Sequence, residues 1–361
     1  MPLIEYQPVP LNTSAFSAPE LSSETLKIAT FNLLNYLEPP FAFYDFENIY
    51  SNENWHKKQR WIREYLKEYQ PDVIGFQEVF SPESLKELVR LEGYDYFNVV
   101  AEPEVIDDYI YQSPVVAIAS RYPITEIEAV PFHSELATTM GLSSDAQFSR
   151  PPLRATVDLP HIGLCDCYVV HLKSKRPKDL NPATNEKQMP VATLLNTIQS
   201  EVAGRWASDL QRGTEATLLY LAMINQREQS NRPMVLMGDF NDTLANGVVS
   251  QLLTQSVRNT NDNNGDINLA KYRLKDAFDL YQRTSHCPND FTRAPTHYFL
   301  SKGSVLDYIL LSSEFDAEHT TSLLEVCQYH TYDRHLINPY FERDGYSTDH
   351  AIVTITLAFR H

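Results

Sequence analysis

The chain has 361 residues, 43% of them hydrophobic, and a net charge of −17 at pH 7. That apolar content supports a large core, and the length exceeds one average domain while remaining within reach of a layered α/β fold. The charge excludes a uniformly basic nucleic-acid-coating protein: a polyanion would have to meet locally concentrated cations, or the substrate must be small.

Residues 1–25, rich in Pro and Ser, read as a surface tail, and the chain from 26 to 361 reads as one folded unit. Leu26–Asn32 alternates like a strand and ends on Asn32. From 38 to 54, two prolines and the aromatics Phe41, Phe43, Tyr44, Phe46 and Tyr50 predict a loop insertion that packs on the surface or rims a site. Trp61, Ile62, Tyr65, Leu66 and Tyr69 form an apolar stripe and predict a helix over 55–69, stopped by Gln70-Pro71-Asp72. Asp72–Glu78 is a buried strand ending in a carboxylate that packing does not explain, and Ser81-Pro82-Glu83 starts a second helix. Strands are expected near 94–100, 114–119, 153–159 and 164–171, the last ending at His171.

A second insertion, about 176–211, leads into a helical region over 191–229, with Gly204 and Gly213 expected to interrupt it. Met234–Asp239 is an apolar strand ending on Gly238-Asp239, and alternation predicts that Asp239 and Asn241 project to one side. The polar stretch 259–266 resembles a calcium loop. Aligning its glycine places Lys271 where a bidentate Glu is required, so it reads as a plain loop. The last strands are expected near 305–311, 321–328 and 351–359. Cys165, Cys167, Cys287 and Cys327 are too few for a disulfide framework and are expected reduced. No apolar run reaches the roughly 18 residues of a membrane span, and no secretory leader is seen, so a cytoplasmic protein is expected.

Polar, chemically competent residues sit at the ends of these strands: Asn32, Glu78, His171, Asp239 with Asn241, Asp307, and Asp349-His350. Singly, each is an ordinary turn or structural residue. Together they offer a phosphoryl-transfer site. Asn32, Glu78 and Asp349 are hard oxygen ligands suited to Mg²⁺ or Mn²⁺. Asp239 can hold or deprotonate water, Asn241 and His171 can donate to phosphoryl oxygens, and Asp307 can orient His350.

The segments ATFNLLNY (29–36), DVIGFQE (72–78), VVHLKS (169–174), MGDFND (237–242), LDYILLS (306–312) and STDH (347–350) resemble the motif series of the endonuclease/exonuclease/phosphatase superfamily. Their look is nearest to a bacterial predicted-nuclease branch. The resemblance implies a four-layer α/β/β/α sandwich with two facing mixed sheets. It implies Glu78 as principal metal ligand with Asn32 and Asp349 nearby, and Asp239 and Asn241 at the water. It further implies His350, paired with Asp307, as catalytic histidine, and His171 at the phosphate. Ser149-Arg150 resembles the segment whose Arg contacts a substrate phosphate, with Arg154 as competitor. The family leaves the substrate open. Lys173, Lys175, Arg176 and Lys178 form a local basic run that favours DNA, with RNA as a further substrate, while the acidic balance favours a small or lipid-headgroup phosphate. The intact catalytic set argues against an inactive binding module.

Overall fold

The computed structural model describes residues 25–178, 190–245, 247–253, 269–320 and 322–360. The tail before Thr25 and the polar loop 259–266 lie outside the described residues. In chain order the strands are β1 (Thr25–Tyr36), β2 (Ala42–Phe43), β3 (Val73–Val79), β4 (Tyr96–Val99), β5 (Glu104–Ile106), β6 (Ile110–Ser113), β7 (Val115–Ser120), β8 (Ile124–Ala129), β9 (Leu153–Leu159), β10 (Gly163–His171), β11 (Met234–Asp239), β12 (Lys275–Asp276), β13 (His297–Phe299), β14 (Lys302–Ser304), β15 (Asp307–Leu311), β16 (Leu324–Tyr332) and β17 (Ile352–Phe359). The longer helices are α1 (Asn52–Tyr69), α2 (Pro82–Leu91) and, after the short α3 (Ser134–Thr139), α4 (Pro190–Ser230).

Two six-stranded sheets run β16-β17-β1-β3-β7-β4 and β12-β15-β11-β10-β9-β8. Both are mixed: β1 pairs with β3 and β10 with β11 in parallel, and their other neighbours are antiparallel. Alternation builds the layers. On β1, Leu26 and Ile28 enter the core shared with the second sheet, while Ala29, Phe31 and Leu33 pack with Trp61, Ile62 and Leu66 of α1 and Leu85 and Leu88 of α2. On β10 and β11, Cys165, Cys167, Val169, Val235 and Met237 face inward, while Tyr168, Val170 and Leu236 pack on Ala216, Leu219 and Met223 of α4. Three apolar layers thus join helices, sheet, sheet and helix, the four-layer order expected.

Several elements depart from the sequence expectation. α1 begins at Asn52 because the Ser51 hydroxyl accepts the Asn54 N–H at 3.2 Å. α4 runs unbroken through Gly204 and Gly213. Gly204 is there for close approach: a Cβ would lie 2.3 Å from the Lys178 carbonyl. The 38–54 insertion contributes β2 to a small sheet with β6 and β5, and β13–β14 form a separate hairpin, neither of them signalled by periodicity. The four cysteines are unpaired. No described helix is long and apolar enough to cross a membrane.

Candidate active site

The inward-facing set continues to the strand ends. On the second sheet, Val169 is followed by His171, Met237 by Asp239, and Ile309 is preceded by Asp307. Register then aligns them: His171 is opposite Asp239, and Asp239 is opposite Asp307. Three chemically competent side chains therefore form one row. Gly238 allows it. Its φ is +151°, and a Cβ there would lie 2.0 Å from the Val170 carbonyl.

Asp239 is the hub. Its Oδ2 accepts from Asn32 Nδ2 at 3.2 Å and Asn241 Nδ2 at 3.3 Å, and lies 3.4 Å from His171 Nε2 and 3.8 Å from His350 Nε2. Its Oδ1 accepts the Asn241 N–H at 2.8 Å. Asp239 and Asn241 meet through this turn, not through strand alternation: β11 stops at Asp239, and Asn241 has a φ of +53°. The Leu172 carbonyl accepts Asn241 Nδ2 at 3.0 Å and fixes the amide. Burial pushes the Asp239 carboxyl up to about 7; His350 opposes this, while Asp307 and Glu78 add to it.

His350 Nδ1 meets Asp307 Oδ2 at 2.8 Å. Burial alone would lower the imidazole pKa, but the Asp307 and Asp239 carboxylates prevail and hold it well above the ordinary histidine value. His350 is set by its backbone: its N–H donates to the Thr348 hydroxyl at 3.2 Å, and that hydroxyl donates to the Asn32 carbonyl at 2.7 Å. The buried Lys58 on α1 donates to the Ser347 carbonyl at 2.7 Å. His171 behaves oppositely to His350. Burial, then Arg150 and His350, push it well below its usual value, so it is neutral.

The first sheet reaches the site by irregular backbone. Alternation would send Glu78 with Phe76 into the helix layer. Register shifts interrupt β1–β3 between Asn32 and Tyr36 and β3–β7 between Phe76 and Val79. Leu34, Asn35 and Glu78 have φ of 51°, 52° and 61°, a conformation that side chains with a Cβ rarely adopt. The distortion brings Glu78 Oε2 to the Asn35 N–H at 2.9 Å and Oε1 to Asn32 Nδ2 at 3.5 Å. The Asn32 Oδ1 accepts the Leu34 N–H at 3.0 Å, and its Nδ2 faces the two carboxylates. It serves as donor between Glu78 and Asp239.

Divalent-metal fit rests on the donors present. Asp239, Asp307 and His350 bring ligand atoms within 4.8 Å of one another, as do His297, Asp349 and His350. The first group is already knit by the His350–Asp307 hydrogen bond. Among the described residues, Glu78 Oε1 has only the long amide contact, and Asn35 Oδ1 is buried with no partner. Oxygens without N–H groups to answer them suit a hard cation such as Mg²⁺ or Mn²⁺, and Glu78 and the exposed Asp349 both act on the charge of Tyr50 and Lys58.

Arg150 is partly buried and close enough to His171, Lys173 and Tyr44 to act on their charge. Arg154 is excluded as its competitor. It is buried on the α4 side of β9, 3.2 Å from Glu126, 2.8 Å from Glu128 and 3.3 Å from Asp166. The basic run is partly consumed. Lys173 Nζ donates to the Ser174 carbonyl, the Ser174 hydroxyl and the Arg176 carbonyl, and Lys175 pairs with Asp242 at 2.7 Å. The 38–54 insertion lies at the rim: Tyr44 senses Glu78, Arg150 and Arg176, and Tyr50 senses Glu78 and Asp349. Residue pattern alone does not reveal His297, whose ring lies 5.0 Å from that of His350; it sits in a hairpin without periodicity. Nor does it reveal Lys58, which looks like one more charge on α1.

Residues 29–350 match the sequence profile of the Endonuclease/Exonuclease/phosphatase family. The chain belongs to that family. Solved structures agree on the fold. The human Nocturnin catalytic domain is 16% identical with a TM-score of 0.55, covering 93% of this chain and 94% of that one. ANGEL2, a 2′,3′-cyclic phosphatase, is 12% identical with a TM-score of 0.53, covering 92% and 95%. An AP endonuclease from Archaeoglobus fulgidus is 13% identical with a TM-score of 0.50, covering 93% and 100%. No curated protein matches the chain. Identities this low carry the Endonuclease/Exonuclease/phosphatase fold and leave the substrate open.

Proposed function

We propose that this family hydrolase is a divalent-metal-dependent nuclease that cleaves phosphodiesters of DNA, and of RNA, by attack of water. The observation that carries the reading is the convergence on Asp239 of two amides and two histidines, one of them held by the Asp307 carboxylate. Asp239, with its carboxyl near neutrality, accepts the proton of the attacking water. Asn241, fixed by the Leu172 carbonyl, orients that water. His350, charged and held by Asp307, donates to the phosphoryl oxygens as charge develops on them. His171 stays neutral and adds a donor without competing for the proton. Arg150 neutralises the substrate phosphate. Lys173 can join it only by exchanging its loop hydrogen bonds for the phosphate. Bound by Glu78 and Asp349, Mg²⁺ or Mn²⁺ would supply charge neutralisation on the phosphate and polarisation of the leaving oxygen.

A second reading, hydrolysis of a small or lipid-headgroup phosphate, is favoured by the Lys175–Asp242 pair, which withdraws a cation from any polyanion track. Plasmid DNA, single-stranded RNA, an inositol polyphosphate and sphingomyelin vesicles should be incubated with the protein in Mg²⁺, Mn²⁺ or EDTA. Cleavage of DNA with either metal, abolished by EDTA, is expected. Turnover confined to the inositol phosphate or sphingomyelin would establish the second reading, and activity persisting in excess chelator would overturn the metal dependence.

A further inference from the structure

α4 carries a polar face aimed at the two loops that hold the candidate phosphate-binding cations. Gly204, Ser208, Gln211, Arg212 and Glu215 recur at helical spacing, and each meets loop backbone or its hydroxyl. The Gly204 carbonyl accepts the Lys178 N–H at 3.1 Å, and the Ser208 hydroxyl donates to the Arg176 carbonyl at 2.7 Å. Arg212 Nη1 donates to the Lys173 carbonyl at 3.1 Å. Glu215 joins the two loops. Its Oε2 accepts the Lys173 N–H at 2.9 Å. Its Oε1 accepts the Ser149 N–H at 2.8 Å, the Ser149 hydroxyl at 2.7 Å and Gln211 Nε2 at 2.8 Å. Glu215 is 1% exposed.

A carboxylate taken this far from water is costly unless every lone pair is answered. Here four donors answer it, and three of them belong to Ser149 and Lys173. The residue after Ser149 is Arg150. Apolar packing could have fastened these loops to α4 without the desolvation cost. A carboxylate does what apolar packing cannot: it ties both backbones by directional bonds and sets a negative charge behind two cations that repel each other.

We propose that Glu215 is a positioning residue that holds Arg150 and Lys173 together as one phosphate-binding unit. This rests on the phosphoester reading above and assigns that site an anion clamp anchored on α4. Glu215→Gln keeps size but turns an N–H toward one of the donors, so the clamp loosens while the catalytic row is untouched.

The test uses hydrolysis of bis(p-nitrophenyl) phosphate and inhibition by inorganic phosphate. In Glu215→Gln, KM and the phosphate inhibition constant should rise by about tenfold or more, with kcat held within about threefold. In an Arg150→Ala background the same change should add less than about twofold, because Arg150 and Lys173 bind phosphate as one unit that is already broken. A fall in melting temperature with KM and phosphate inhibition unchanged would overturn the proposal, as would additive effects of the two substitutions. Should Glu215→Gln fail to fold, Ser149→Ala and Gln211→Ala each remove one partner of Oε1. Either should raise KM by about two- to fivefold, and an unchanged KM in both would overturn the proposal. Wild-type activity with an unaltered Glu215→Gln breaks this inference alone. Wild-type inactivity breaks the phosphoester reading, and calorimetric phosphate binding to wild type and Glu215→Gln then decides the clamp.

Discussion

In the second sheet, His171, Asp239 and Asp307 face the site because each continues the inward parity of an apolar strand, and register sets them side by side. In the first sheet, Glu78 has the wrong parity. It reaches the site only through register shifts and left-handed backbone at Leu34, Asn35 and Glu78. The row of His171, Asp239 and Asp307 is thus built on regular structure, and the proposed metal-holding half on distorted structure. The difference teaches where strain is tolerated. Acid–base geometry demands fixed partners, which a ladder supplies without strain. Glu78 leaves the side that alternation assigns it, and the register shifts in β1–β3 and β3–β7 let it do so.

Breaking the regular half should have the largest effect. Asp239→Asn keeps the shape of the hub but removes the proton acceptor. We expect kcat to fall by about two to four orders of magnitude, and the melting temperature to fall as well, because the new amide turns an N–H toward the donors of Asn32 and Asn241. Activity near wild type would remove Asp239 from the chemistry.

The distorted half should respond in the opposite sense on stability. Glu78→Gly relieves the left-handed backbone, whose cost is about 1–2 kcal/mol, while losing the Asn35 hydrogen bond. Urea unfolding of the metal-free protein should show no loss, and a gain of up to about 1 kcal/mol. The Mn²⁺ titration of activity should disappear. A clear destabilisation would mean that the Glu78 backbone is not strained.

The smallest effect belongs to the loop after His171. If DNA is the substrate, replacing Arg176 and Lys178 together with Ala should flatten the salt dependence of KM by about one to two units of slope. Lys175→Ala should change it less, since Asp242 already holds that ammonium. Equal effects at all three would make the run a continuous phosphate track.

The same contrast explains what the sequence made legible. Period-two patterns locate β1, β3, β9, β10, β11 and β15 and the side on which His171, Asp239 and Asp307 emerge. Helical spacing locates α1 and α4. Alternation misdirects where the backbone leaves its period. It sends Glu78 to the helix layer, credits strand geometry for an Asp239–Asn241 contact made by a turn, and leaves the orientation of the Asn32 amide open. The supposed breaks at Gly204 and Gly213 fail because a glycine chosen for close approach looks the same as one chosen to end a helix. Glu215 and Lys58 were illegible because only tertiary packing distinguishes a buried charge from the solvated charges beside it.

The central claim is that a carboxylate-held histidine and the Asp239 row act as one hydrolytic unit. A double-mutant cycle on kcat with Asp307→Asn and His350→Ala tests it most directly. Each single change should cost about two to four orders of magnitude, with KM little altered. The double variant should cost scarcely more than either, since residues acting as one unit are non-additive. Fully additive losses would show that Asp307 and His350 work separately, and would contradict the account.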